Sequence, residues 1–206
     1  MTIKLHRHAL SGHSHRVELF LSILGLESEI VDVDLANGAH KQVEYLEKNI
    51  FGQVPVIEDG DSVLSDSNAI LVYLAAKYDD AKTWMPTNPQ EAAEVQRFLS
   101  VSADKIAHGP AAARLVNVFG AALDHQQAID TSHNILSTLN KHLAERQWLS
   151  TNRATIADLA NYAYIKHAPE GDVSLDDYPN IQKWLARIEN LTGFVPMQAT
   201  KIGLAA

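Results

Sequence analysis

The chain of 206 residues contains no cysteine. Disulfides, thiolate metal sites and dithiol redox chemistry are therefore excluded for its own side chains, and any thiol in its chemistry must come from a ligand. Positive charge is also scarce. Seventeen Lys and Arg face 25 Asp and Glu, for a formal net charge of −8. No local run of basic residues offsets this, so a nucleic-acid partner, which needs a basic patch for phosphate, is not expected. No stretch approaches the roughly 20 apolar residues of a membrane-spanning helix, so no membrane partner is expected. The opening "MTIKLHRHAL" lacks the apolar core of a secretory signal. A cytoplasmic protein is the resulting expectation. No internal repeat or low-complexity segment stands out. What remains is 46% hydrophobic and 20% charged, ordinary values for a globular chain able to bury a sizeable core.

The first 78 residues alternate between two periodicities. "TIKLH" places Ile3 and Leu5 in strand-like alternation. Val17, Phe20, Leu21 and Leu24 then fall on one helical stripe, with Gly25 as its stop. "EIVDVDL", carrying Ile30, Val31 and Val33, reads as a second strand. Residues 39–49 read as a weaker, polar helix. "VPVI" is a third strand, "EDGD" a hairpin turn and "SVL" a fourth strand. Asp66 to Tyr78 reads as a helix with Ile70, Tyr73 and Leu74 on its buried face. The order β-α-β-α-β-β-α predicts a mixed four-stranded sheet covered by helices, a thioredoxin-like layout. "DDAKTWMPTNP", residues 79–89, reads as a linker. Beyond it the strand signals stop. Glu91–Leu99, Leu123–Trp148, Ile156–Lys166 and Ile181–Leu191 read as helices, and Pro110 in "HGPAAA" should kink or break one. The expected class is α/β plus all-α, with residues 1–78 as the sheet domain and 90–206 as a helical-bundle domain.

Several short motifs admit a chemical and a structural reading. Pro55 interrupts an apolar run, and a proline inside a sheet belongs on an edge or at a bulge. The Val54-Pro55 bond is either an ordinary trans link or one of the few cis ones. "SDSNAI" opens a helix. Its free N–H groups and the Ser67 hydroxyl suit a carboxylate, and Asp66 suits an ammonium; the plain alternative is an N-cap by Ser65 or Asp66. His40-Lys41 follows a Gly-containing loop, and a lysine is a compact cation suited to an exposed carboxylate. Otherwise the pair is a solvated helix start. Ser11 and Ser14 lie between the first strand and the first helix. Gly12 allows a ligand to approach Ser11 closely, whereas Ser14, nearer the helix, reads as its N-cap. His6, His8, His13 and His15 are read as packed or surface histidines rather than a metal site. Thr155-Ile-Ala-Asp158 reads as a capping box with a folding role, with Ala154 and Leu159 at its staple positions.

Taken in order, the loop serine, His-Lys, Val-Pro, Asp-Ser and the later Thr-x-x-Asp box resemble a cytosolic glutathione S-transferase. The resemblance covers nearly the whole chain and is strongest in "GAHKQVEYLEKNIFGQVPVIEDGDSVLSDSNAILVYLAAKY", which looks most like the phi class and related bacterial forms. It implies a detoxifying transferase that joins the thiolate of glutathione, its cosubstrate, to small electrophilic, largely apolar compounds, with no metal. It implies a cis bond at Val54-Pro55, with the Val54 backbone pairing to the cysteinyl part of glutathione and Gln53 near by. Asp66 and Ser67 then take the γ-glutamyl end, and His40 and Lys41 the glycyl carboxylate. With no cysteine and no early tyrosine, the resemblance places the thiol-activating role on Ser11, with Ser14 or His13 as alternatives. It places the electrophile pocket mainly on the helical domain, near His108, Ala111 and Arg114, and implies a homodimer in which Phe51 is an interface key or a core aromatic. Departures from the family pattern are Asp66 where Glu is usual, His8-Ala9 for His-Pro, and His13 where many relatives have Asn. The same site also serves glutathione-dependent peroxidases, dehalogenases and isomerases, or a binding protein without turnover, since a fold does not fix its function.

Overall fold

A computed structural model describes residues 2–206. The chain divides into two compact units: Met1–Lys82 together with Leu191–Gln198, and Thr83–Asn190 together with Ala199–Ala206. The sequence suggested two contiguous domains; in the structure, a C-terminal segment returns to the first unit.

The first unit runs β1 (Ile3–Arg7), α1 (Gly12–Ile23), β2 (Ser28–Asp32), a 3-10 turn (Ala39–Lys41), the single turn α2 (Val43–Leu46), β3 (Val56–Asp59), β4 (Ser62–Ser65) and α3 (Ser67–Tyr78). The sheet order is β2-β1-β3-β4. β1 and β2 are parallel, whereas β1–β3 and β3–β4 are antiparallel. This is the mixed sheet that the element order predicts. Ile3, Leu5, Val56 and Ile57 of the sheet, Val17, Leu19, Phe20 and Leu21 of α1, and Ile70, Leu71 and Leu74 of α3 form its core. Full burial of each such side chain is worth about 1.5–3 kcal/mol. Three details differ from expectation. The polar helix over 39–49 is two short turns, separated where Gln42 adopts an extended conformation (φ −75°, ψ 154°). β3 begins only at Val56, because Pro55 has no N–H to give a ladder. Tyr73 does not point into the core; its hydroxyl reaches Asp59 Oδ2 at 2.8 Å, joined there by Lys77 Nζ and Tyr78 OH, each at 2.7 Å. These three donors fasten α3 to the end of β3. Burial alone would raise the Asp59 carboxyl, but they hold it below its ordinary range.

The second unit is helical: α4 (Pro89–Val101), α5 (Ala112–Phe119), α6 (His125–His142), α7 (Ile156–Lys166) and α8 (Pro179–Glu189). Between α4 and α5 the chain winds as a π-helix over Ser102–Ala111, with Pro110 inside it. The expected break does not occur. The wider winding accommodates a ring that would clash with the carbonyl four residues back in an α-helix. α6 stops at the Leu143 C-cap, short of the run to Trp148 that periodicity suggests. The Thr155–Asp158 capping box is formed, and Asp158 also receives the Leu149 N–H and Trp184 Nε1, each at 2.9 Å.

Candidate functional site

Two helix starts define the site, both in the first unit. α1 begins at Ser11, whose extended backbone (φ −91°, ψ 117°) and side-chain oxygen, accepting from the Ser14 N–H at 3.2 Å, make it the N-cap. This corrects the sequence reading, which gave the cap to Ser14. Ser14 is inside the helix and buried, and its Oγ accepts from the His8 N–H at 3.3 Å. Capping does not exhaust Ser11. A hydroxyl has two acceptor lone pairs and one proton, so a Ser11 that accepts from Ser14 still has a proton to donate. The adjoining helix start adds free N–H groups and partial positive charge.

α3 begins at Ser67, capped by Asp66 Oδ1 on the Ala69 N–H at 2.9 Å. Asp66 has φ 68° and ψ 118°. For a non-glycine residue this is a sparsely populated region, and strain of this kind clusters at ligand clamps. It leaves the second carboxylate oxygen exposed beside the helix start. Ser67 is only 4% exposed. Its Oγ lies 3.3 Å from His13 Nδ1 and accepts from Arg16 Nη1 at 3.2 Å; the same Arg16 nitrogen reaches Asn68 Oδ1 at 2.8 Å. Burial, reinforced by the Arg16 charge, lowers the His13 imidazole to about 3. His13 is therefore neutral at physiological pH.

The third wall is the segment before β3. The Val54–Pro55 peptide bond is cis. The Val54 main-chain N–H and C=O make no hydrogen bond to another described residue. Continuing the β3–β4 register beyond Val56↔Ser65 brings position 54 opposite position 67. β4, the ladder partner of β3, leads directly into α3 at Ser67. The segment is held from below. Tyr45 OH (3.0 Å) and Asn49 Nδ2 (2.8 Å) both donate to the Gln53 carbonyl. Val54 packs on the cluster of Val33, Tyr45 and Val56. Burial lifts the Tyr45 phenol to about 12, so it stays a donor. Lys41 Nζ donates to the Gly52 carbonyl at 3.0 Å and the Phe51 carbonyl at 3.3 Å. Gly52 (φ +56°) is required at this crossing, because a Cβ there would stand 2.6 Å from the His40 carbonyl oxygen. His40 Nδ1 is buried and makes no hydrogen bond to any described residue.

The structure thus links Ser11, His13, Asp66 and Ser67 around two helix starts, and ties His40 and Lys41 to the loop leading into Gln53, Val54 and Pro55. Sequence reasoning missed Arg16, Asn68, Tyr45 and Asn49. Arg16 carried a signal: four residues before Phe20, it is a cation on the apolar stripe of α1. The four early histidines do not converge. His6 meets Glu58, His8 Nδ1 accepts from the Leu10 N–H, and His15 Nε2 meets the Val195 carbonyl. Among the described residues, no group of three or more acidic or histidine side chains is close enough to hold a metal ion. In the helical unit, His108 is exposed beside Asp104, Ala111 is 2% exposed, and Arg114 is 1% exposed with its Nε on Glu170 Oε2 at 2.7 Å. Phe51 is 69% exposed, so it is not a core aromatic. Among the described residues, no helix is long and apolar enough to cross a membrane.

Residues 1–76 match the family model for the glutathione S-transferase N-terminal domain, and residues 112–192 that for the C-terminal domain. Glutathione S-transferase 3 of Zea mays is 36% identical over 174 residues, covering 79% of this chain and 76% of that protein. A glutathione S-transferase structure from Pseudomonas fluorescens superposes with a TM-score of 0.90 at 29% identity, over 96% of this chain and 99% of that one. A glutathione transferase homologue from Drosophila mojavensis with bound glutathione gives 0.84 at 26% identity, over 92% and 88%. With both halves matched and a layout shared across almost the full length, the chain belongs to the glutathione S-transferase family.

Proposed function

We propose that the protein is a glutathione transferase whose first unit binds the tripeptide between the Val54 backbone and the start of α3. The observation that carries this is the pair of unbonded main-chain groups at Val54, just before β3, whose partner strand β4 leads into α3 at Ser67. A peptide laid beside Val54 completes the interrupted ladder by strand addition. Its γ-glutamyl carboxylate then meets the α3 start and the Ser67 hydroxyl, and its ammonium meets Asp66. At the other end, Lys41 spends two of its three donors on loop carbonyls and keeps one for the glycyl carboxylate, with His40 beside it. The cysteinyl thiol falls toward the α1 start. There the Ser11 hydroxyl donates to sulfur, favours the thiolate and lets the proton leave to solvent. The thiolate then forms a carbon–sulfur bond with a small apolar electrophile, either displacing a leaving group that departs with the bonding pair or adding across an activated double bond whose electron pair takes a proton from water.

Within the helical unit, His108 is the residue of the expected electrophile surface that offers a side chain to a ligand; Ala111 and Arg114 are enclosed. Val43, Ile50 and Phe51 are 67%, 80% and 69% exposed. Large exposed apolar side chains within nine positions of the chain suit a protein partner, and a second copy of the chain is the partner proposed.

Calorimetry with reduced glutathione on wild type and Ser67→Ala, followed by turnover with a panel of electrophiles, tests the reading. Expected is saturable binding that weakens by about 1–3 kcal/mol in the variant, and conjugation of at least one electrophile. No binding to the wild type sinks the proposal.

A further inference from the structure

We propose that Arg16 is a positioning residue for the γ-glutamyl end of glutathione, acting through Ser67 without touching the ligand; the inference rests on the binding mode proposed above. The Arg16 side chain is 1% exposed in the middle of the first unit. One terminal nitrogen uses its two N–H bonds on Ser67 Oγ and Asn68 Oδ1, at 3.2 and 2.8 Å. Both acceptors belong to the first turn of α3, so the guanidinium grips the helix start from behind.

The consequence lies in the Ser67 proton. Guanidinium only donates and stays charged. Ser67 Oγ must therefore accept from the Arg16 side, and its own proton points elsewhere. His13 Nδ1 is the acceptor near by, at 3.3 Å. A histidine held at about 3 by burial and by Arg16 is neutral and accepts at any working pH. Ser67 is thus a donor with a cation behind it and a neutral imidazole beside it. A carboxylate arriving at the α3 start replaces His13 Nδ1 as the acceptor of the Ser67 O–H bond, while Arg16 keeps the oxygen in place and polarises the hydroxyl. Asn68 helps hold that guanidinium nitrogen in place, and a lysine ammonium ends one bond short of the same point.

The test is a double-substitution cycle read as kinetic constants. Arg16→Lys keeps the charge but ends one bond short of Ser67 and Asn68. Expected is a KM for glutathione raised about ten-fold, the size of one lost charge-assisted bond, with kcat within about two-fold. In a Ser67→Ala background the same change should move KM by less than about two-fold, because the residue it acts through is gone. Equal effects in both backgrounds would overturn the inference. So would a loss confined to apparent kcat that follows only the fraction of folded protein. Since a buried arginine variant can fail to fold, Asn68→Ala supplies a second reading. It frees the guanidinium at a partly exposed position, and KM should rise about three-fold with kcat unchanged. An unchanged KM in that variant overturns the inference by itself. A wild type that binds no glutathione removes the parent reading. A wild type that binds, a Ser67→Ala that weakens binding and an additive cycle remove the Arg16 role alone.

Discussion

His13 Nδ1 and Ser67 Oγ stand 3.3 Å apart although 54 residues separate them along the chain. The contact joins the first turn of α1 to the first turn of α3. Two sets of free N–H groups and two partial positive charges therefore sit at one place in an otherwise acidic protein. A ligand that is anionic at one end and becomes anionic at its sulfur is matched twice by the same construction.

Ser11 has two roles that substitutions can separate. Ser11→Ala removes both the cap and the thiol donor, and should lower the conjugation rate about 10²–10³-fold and stability by about 1 kcal/mol. Ser11→Gly should lose the same rate but only a few tenths of a kcal/mol, because glycine is nearly as good a cap. Ultraviolet titration of the thiolate of bound glutathione should move to higher pH in both. If neither moves it, Ser11 does not activate the thiol.

Ser14→Ala should behave differently. It removes the acceptor of the half-buried His8 N–H, at a cost of about 1 kcal/mol in thermal or urea unfolding. The thiolate titration of bound glutathione should stay where it is. A shifted titration with unchanged stability would transfer the activating role to Ser14.

His13 should make stability fall in mild acid. Its unfolded value is near 6.5, and its folded value is lowered to about 3 by burial and by the Arg16 charge. Between these values the unfolded chain takes up a proton that the folded chain refuses, so stability is complete above about pH 6.5 and declines as pH falls toward 3. His13→Asn removes this slope. The melting temperature of wild type minus that of the variant should therefore shrink steadily from pH 7 to pH 4. A constant difference would show that His13 titrates normally.

Gly52→Ala tests the loop crossing. Alanine at φ +56° is strained, and its methyl would meet the His40 carbonyl oxygen at 2.6 Å and Lys41 Nζ at 2.9 Å. A loss of about 1–3 kcal/mol in stability is expected, with a raised KM for glutathione as Gln53 and Val54 move. A variant as stable as wild type would mean that the crossing is loose.

Lys41→Met should raise the KM for glutathione and flatten its dependence on salt, since an exposed charge pair is screened by ions. The loop should also loosen, because Lys41 Nζ holds the Phe51 and Gly52 carbonyls. Unchanged KM at both low and high salt would remove Lys41 from the glycyl end.

Elements with a strict local pattern were legible in the sequence. β1 follows the alternation of Ile3 and Leu5, and α7 keeps its expected limits of Ile156 and Lys166 because Thr155 and Asp158 fix its start. Features set by distant partners were not. Pro110 reads locally as a breaker, yet the π-helical winding carries the chain past it into α5. Tyr73 has the spacing of a core residue, but Asp59 across the hairpin offers its hydroxyl a better place. Ser14 lies nearer the helix and reads as its cap, and only the backbone and side chain of Ser11 show that the cap is Ser11. In the candidate site, Val54, Asp66 and Ser67 were marked by local motifs. Arg16, Tyr45 and Asn49 act on residues that sequence spacing alone does not reveal as neighbours.

The return of Leu191–Gln198 to the first unit has a bearing on biosynthesis. There the Val195 carbonyl meets His15 Nε2 at 2.8 Å, and Gly193 (φ +82°) passes so close to Ser22 that a Cβ would lie 2.7 Å from its carbonyl oxygen. A ribosome releases the sheet and α1 early, yet the partner that caps the His15 side of α1 emerges only after Thr83–Asn190 has been translated. The unit that begins first is completed only after most of the second has been made, and during that interval α1 lacks one of its final contacts. A chain cut after residue 190 would remain in that state permanently.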